Sequence, residues 1–178
     1  GVVVRAMLRT GTWTVAGAGT LILATVTGTF QSAEALQVGG VTKVTSSSLC
    51  TNITRAPGGR VETVRANFTG SLATERIYGA DGVNLAFEFD GTNYIPIRTG
   101  MVTDTPLHVA FHLSRLWLTF LASLQNSSVT DPYGWTAVTG AIEIAMGEYI
   151  TGILSLSGSS TATALGVFTK NQTSVLYG

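Results

Sequence analysis

Val83-Asn84-Leu85-Ala86-Phe87-Glu88-Phe89, then Asp90-Gly91-Thr92, then Asn93-Tyr94-Ile95-Pro96-Ile97: the reading of this stretch decides the fold. Aromatic and β-branched residues, which suit a pleated surface, flank an Asp-Gly pair that supplies the positive φ of a tight turn. It reads as a β-hairpin. The pattern continues outward: 108–113 and 116–121 form the next strand pair, joined by Ser114-Arg115. Residues 150–156 lead through 157–161 to 165–169, and Asn171-Gln172 turns the chain into 174–177.

One segment competes for helix. In 106–124, Leu107, Phe111, Leu118 and Leu121 fit a helical stripe, but Leu116, Leu118 and Phe120 also alternate at period 2, and no caps bracket the run. Two strands are the better reading. Residues 108–120 and 150–168 share the order strand, turn, apolar strand at a spacing of about 40 residues, the way propeller blades repeat.

The first half has a different texture. Residues 21–27 read as a strand, 31–35 as a polar turn, and 36–38 as a strand ending in Gly39-Gly40, a small meander. Ala56-Pro57-Gly58-Gly59 is the most loop-like text, with a boundary expected near 56–66. The expected fold class is all-β: a small β-barrel or sandwich-like module over 1–65, followed over 66–178 by antiparallel, propeller-like blades, as a fragment of a larger chain. Both ends of the sequence are strand-like text, which is the ground for expecting a fragment.

Composition bears on the surface. Charged residues make up 11% of the chain, ten basic against ten acidic, while 45% are apolar; ordinary soluble domains carry roughly 25% charged residues. The stretches 20–26 and 109–124 are interrupted by Thr, His, Ser or Arg and fall short of the roughly 20 apolar residues of a spanning helix, and too few strands are present for most outer-membrane barrels. A surface covered by neighbouring subunits is therefore favoured over membrane insertion. No Lys/Arg cluster offers a grip on phosphate backbones.

Chemistry-bearing patterns are weak. His108 and His112, four apart on a strand, would share a face with Ala110 between them, but no third ligand accompanies them, so packed or hydrogen-bonded histidines are expected and no metal. Glu88 and Asp90 share a strand face and Glu143 is the other candidate acid, yet nothing sets two carboxyls at a glycosidase spacing. Cys50 is the only cysteine, expected as a buried or half-buried apolar thiol. Gly17-Ala18-Gly19 lacks the third glycine of a dinucleotide loop and reads as a turn. No enzyme and no cofactor are expected. Three aromatics remain as possible interface or tip residues: Tyr133 and Trp135 in the turn Asp131-Pro132-Tyr133-Gly134-Trp135, and Trp117, which faces opposite to Leu116 and Leu118. The same rings equally fit a core.

The runs Tyr78-Gly79-Ala80-Asp81-Gly82-Val83-Asn84 and Phe87-Glu88-Phe89-Asp90-Gly91-Thr92-Asn93-Tyr94, together with Arg115-Leu116-Trp117-Leu118, Asp131-Pro132-Tyr133-Gly134-Trp135, Met146-Gly147-Glu148 and Val167-Phe168-Thr169-Lys170, resemble tail tube and nozzle proteins of short-tailed bacteriophages. The resemblance covers about 66–178 and rests on many small matches; residues 1–65 carry none. It implies a virion structural protein of the tail, built on a β-propeller with inserted β domains. Such a protein assembles with its own copies and other tail proteins into a ring around the channel through which DNA leaves. DNA would pass without sequence-specific binding, with no small-molecule substrate and no transmembrane segment. The competing readings are a receptor-binding or fimbrial-type adhesin β-sandwich with the Tyr133/Trp135 turn as its tip, and a jelly-roll capsid subunit, which would usually show a basic arm.

Overall fold

Turn chemistry sets the architecture. In the computed structural model, which describes residues 2–12, 15–156 and 163–177 (of 8–12, 15 and 16 only the backbone), every strand pairing between named strands is antiparallel. The chain is all-β, with two short 3-10 turns as its only helical elements among the described residues. It divides into two compact units, Gly1–Thr54 and Arg55–Gly178.

The first unit holds two separate hairpins, β1 (Val2–Thr12) with β2 (Val15–Ala24) and β3 (Ala35–Val38) with β4 (Val41–Thr45). This corrects the expected barrel or sandwich: two two-stranded sheets cannot close on one another through a ladder, and Ile22 is the one buried apolar side chain among the described residues of the unit. Gly17-Ala18-Gly19 also departs from expectation. It lies inside β2, where Thr10 pairs Ala18 and Leu8 pairs Gly19 across shifts of register. Gly39 and Gly40, with φ of 60° and 76°, make the two-residue turn between β3 and β4 that their sequence announces. Cys50 is exposed, against the expected burial, because this unit has no core to receive it.

The second unit is three meanders in succession. The first sheet runs β5 (Glu62–Ala66), β6 (Arg76–Ala80), β7 (Ala86–Phe89), β8 (Tyr94–Ile97); the second runs β9 (Val109–His112), β10 (Arg115–Phe120), β11 (Ser123–Asn126), β12 (Ile142–Ala145). The third has three strands, β13 (Ile150–Leu156), β14 (Ala164–Thr169) and β15 (Thr173–Tyr177). The expected boundary at 65 falls too late. Residues 62–66 form β5, whose ladder to β6 places it in the second unit. The expected link at 157–161 lies outside the described residues.

Strand alternation explains the packing. Leu116, Leu118 and Phe120 of β10 face the first sheet and join Ala66, Tyr78, Ala80, Ala86 and Ile97 in one core. Trp117, one residue out of phase, faces the third sheet with Ala110 and Leu124, against Ile150, Leu165 and Val167. The first strands of the sheets lie side by side, β9 packing against β5 and against β13.

The turn between β9 and β10 is Leu113-Ser114, one residue before the expected pair, with φ of 50° and 56°. Non-glycine residues there carry a cost of about 1–2 kcal/mol each, less for short polar side chains. Leu113 is exposed and gives up little packing. The double substitution Leu113→Asn/Ser114→Gly is expected to raise stability by about 1–2 kcal/mol. Urea unfolding of the variant reads this as a higher midpoint at unchanged slope; an unchanged or lower midpoint contradicts it.

Candidate functional site

Two Asp-Gly-x-Asn turns frame the first sheet. Asp90 Oδ1 accepts the N–H groups of Thr92 (2.9 Å) and Asn93 (2.7 Å), and Asn93 Nδ2 returns a bond to Asp90 Oδ2 at 3.1 Å. Asp81 repeats this with Val83 (3.0 Å) and Asn84 (2.7 Å), and its Oδ2 also accepts from Asn84 Nδ2 at 2.8 Å and Arg55 Nη2 at 2.5 Å. Asn84 holds the segment before β5 as well, accepting from Ala56 N–H at 2.7 Å and donating to Ala56 O at 3.0 Å. Burial pushes the Asp81 carboxyl up, but the bonds from Asn84, Val83 and Arg55 outweigh it and hold its pKa at about 2, against 3.8 ordinarily.

A depressed native pKa gives stability that is present above the unfolded pKa and lost as pH falls through the native one. Asp81 is therefore expected to contribute roughly 2 kcal/mol at neutral pH, disappearing between about pH 4 and pH 2. Asp81→Asn should lower stability at pH 7 and flatten its fall across that window. An equally steep fall in the variant would assign the acid loss elsewhere.

The remaining expected site residues are dispersed. His108 and His112 do not share a face. The pairing is bulged where Leu107 N–H bonds to Thr119 O and Thr119 N–H bonds to His108 O, so His108 turns to Glu62 of β5 (Nδ1 to Oε2, 2.9 Å). His112 turns to Ser155 Oγ of β13 at 3.0 Å, and its pKa is lowered by burial. The two histidines thus join β9 to the strands on either side of it. Among the described residues no three His, Cys, Asp or Glu side chains are grouped to hold a metal ion.

Glu88 is buried at 2% exposure, accepting from Tyr133 Oη at 2.7 Å and Tyr78 Oη at 3.1 Å, with Arg76 Nε 3.8 Å from its other oxygen. Asp90 is occupied by its turn. These two acids tie structure together and do not face each other across an open space. Tyr133 reaches Glu88 from the loop between β11 and β12, so its ring lies half-buried against the core, as does Trp135, whose Nε1 donates to Pro132 O at 2.9 Å. Trp117 is buried, its Nε1 donating to His112 O at 3.2 Å.

The cleft of about 290 Å³ beside Trp135 was not signalled by any local pattern. Thr99, Gly100 and Met101 from the segment after β8, Gln125 of β11 and Glu143 of β12 line it. Asp104 fixes that segment, accepting from Thr99 N–H and Thr99 Oγ1, each at 2.8 Å. Arg115 braces the opposite wall through the carbonyls of Ser127 (2.8 Å) and Gly140 (2.6 Å). Comparison with models of protein families, with curated proteins and with solved structures finds no match to this chain.

Proposed function

We propose that this chain is a structural subunit that works by contact with neighbours, a wall component of a tail tube or nozzle of the short-tailed phage kind, with its three successive sheets as blades of a propeller. The side-by-side first strands β5, β9 and β13 support the blade reading, because blades of a propeller meet along their innermost strands. The resemblance of 66–178 supplies the assembly.

The observation that carries the proposal is the outer face of the third sheet. Register and alternation put Leu154, Leu156, Phe168, Val175 and Tyr177 on the face turned away from the second sheet. They are exposed, Leu154 to 52% and Tyr177 to 79%. Covering such side chains fully stabilises by about 1.5–3 kcal/mol each. The free edge agrees. Edge strand β8 carries Pro96 and edge strand β12 carries Glu143, residues that discourage pairing, whereas edge strand β15 is Thr-Ser-Val-Leu-Tyr without charge or proline.

Sedimentation and negative-stain imaging of the purified chain test this directly. Rings with an axial channel are expected, dissociating in Leu154→Lys/Val175→Lys; a monomer at every concentration, or a lone trimeric spike, rejects the proposal.

A further inference from the structure

The cleft beside Trp135 has the chemistry of a ligand site. Register places Gln125 and Glu143 on one face of the second sheet with Leu118, and the neighbouring Asn126 on the opposite face with Trp117. Gln125 is 9% exposed, and its amide donates to the Met101 thioether at 2.8 Å, a weak acceptor. Among the described residues no group meets its carbonyl oxygen, and that oxygen is not among the fully occluded polar atoms. A nine-tenths buried side chain therefore opens an amide oxygen with unused acceptor capacity into the cleft.

The rest of the lining narrows the ligand. Glu143 accepts from Ser123 Oγ at 2.6 Å through one oxygen, leaving acceptor capacity on a carboxylate. Among the described residues it is the only charged side chain in the lining, and no Lys or Arg accompanies it, so phosphates and carboxylates are disfavoured. Trp135 and Met101 add apolar surface. An amide, a carboxylate acceptor and an indole together match a molecule with hydroxyl groups on its edge and an apolar face.

We infer that this cleft binds a neutral sugar ring, held by Gln125 and Glu143 through its hydroxyls and packed against Trp135. The walls are fixed in advance. Ser128 N–H bonds to Gly134 O at 2.7 Å and Tyr133 N–H to Asp131 Oδ1 at 2.9 Å, so the turn that carries Trp135 needs no rearrangement on binding. The site does not depend on the assembly role proposed above, since it is lined by the segment after β8 and by β11, β12 and the loop between them, and the outer face of the third sheet plays no part in it.

Saturation-transfer NMR with glucose, galactose and N-acetylglucosamine, and with glycylglycine amide as the competing class, tests the inference on the whole chain. At least one sugar is expected to bind at the millimolar level, with the peptide amide silent. Gln125→Met keeps the volume and removes the amide, and is expected to lower sugar affinity at least tenfold while thermal unfolding stays cooperative. Trp135→Phe, which keeps an aromatic ring, should weaken binding less. Absence of binding by all three sugars, a signal unchanged in Gln125→Met, or preference for the peptide amide each overturns it.

Discussion

Glu88→Ala is expected to destabilise the second unit by about 3–5 kcal/mol, the cost of removing one partner from a buried charged network. Glu88 lies between sheets, taking a proton donor from Tyr78 on its own sheet and another from Tyr133 on the loop of the second. Alanine would remove the acceptor that both hydroxyls share and deprive Arg76 of a carboxylate 3.8 Å away. The size of the effect comes from what is left behind, so graded variants separate its parts. Tyr133→Phe removes one hydroxyl with its bond and should cost about 1–2 kcal/mol. Added to Glu88→Ala, it should cost less than it does alone, because the bond between the two side chains is already gone. Chemical unfolding of the two single variants and the double variant measures this; strictly additive losses would mean that Tyr133 and Glu88 are not coupled.

That pairing was beyond the reach of the sequence, and the reason is physical. Alternation assigns Glu88 to a face but says nothing of a tyrosine 45 residues away. The same holds for the cleft, whose walls come from the segment after β8, the Trp135 turn and two outer strands. Local turn chemistry, by contrast, was legible. Gly39, Gly40 and Gly91 carry positive φ at low cost, and the hairpin turned at Asp90-Gly91 follows expectation. The turn at Leu113-Ser114 was misplaced by one residue because the conformation falls on residues that do not advertise it. The second Asp-Gly-x-Asn, from Asp81 to Asn84, offered a usable signal: it copies the Asp90 turn and marks where Arg55 and Ala56 are fastened. Reading that repeat would have moved the unit boundary toward residue 54. Period-2 alternation correctly set Trp117 against Leu116 and Leu118, since a strand has only two faces and both are buried here.

Gly79→Ala is expected to cost about 3 kcal/mol, at the upper end of what overpacking one methyl usually produces. A Cβ on Gly79 would stand 2.3 Å from Phe87 Cζ and 2.4 Å from Cε1, closer than any real contact, and 3.1 Å from Glu62 O. The conflict arises from register: Gly79 lies opposite Phe87, whose ring lies over the backbone left bare by the glycine. An unrestrained ring would swing away cheaply, but Phe87 is held. It stacks on Tyr94 with centroids 5.0 Å apart, and the Arg55 guanidinium lies 4.9 Å above it. Moving the ring would disturb the stack and with it Arg55, which also bonds to Asp81. A second change distinguishes this mechanism from a general weakness of β6. Phe87→Leu shortens the side chain and should recover at least half of the loss when combined with Gly79→Ala, although alone it destabilises through a lost stack and a cavity. If the double variant is instead as unstable as the two losses added together, the clash is not with Phe87, and the cost belongs to the approach of Glu62 O across the β5–β6 ladder.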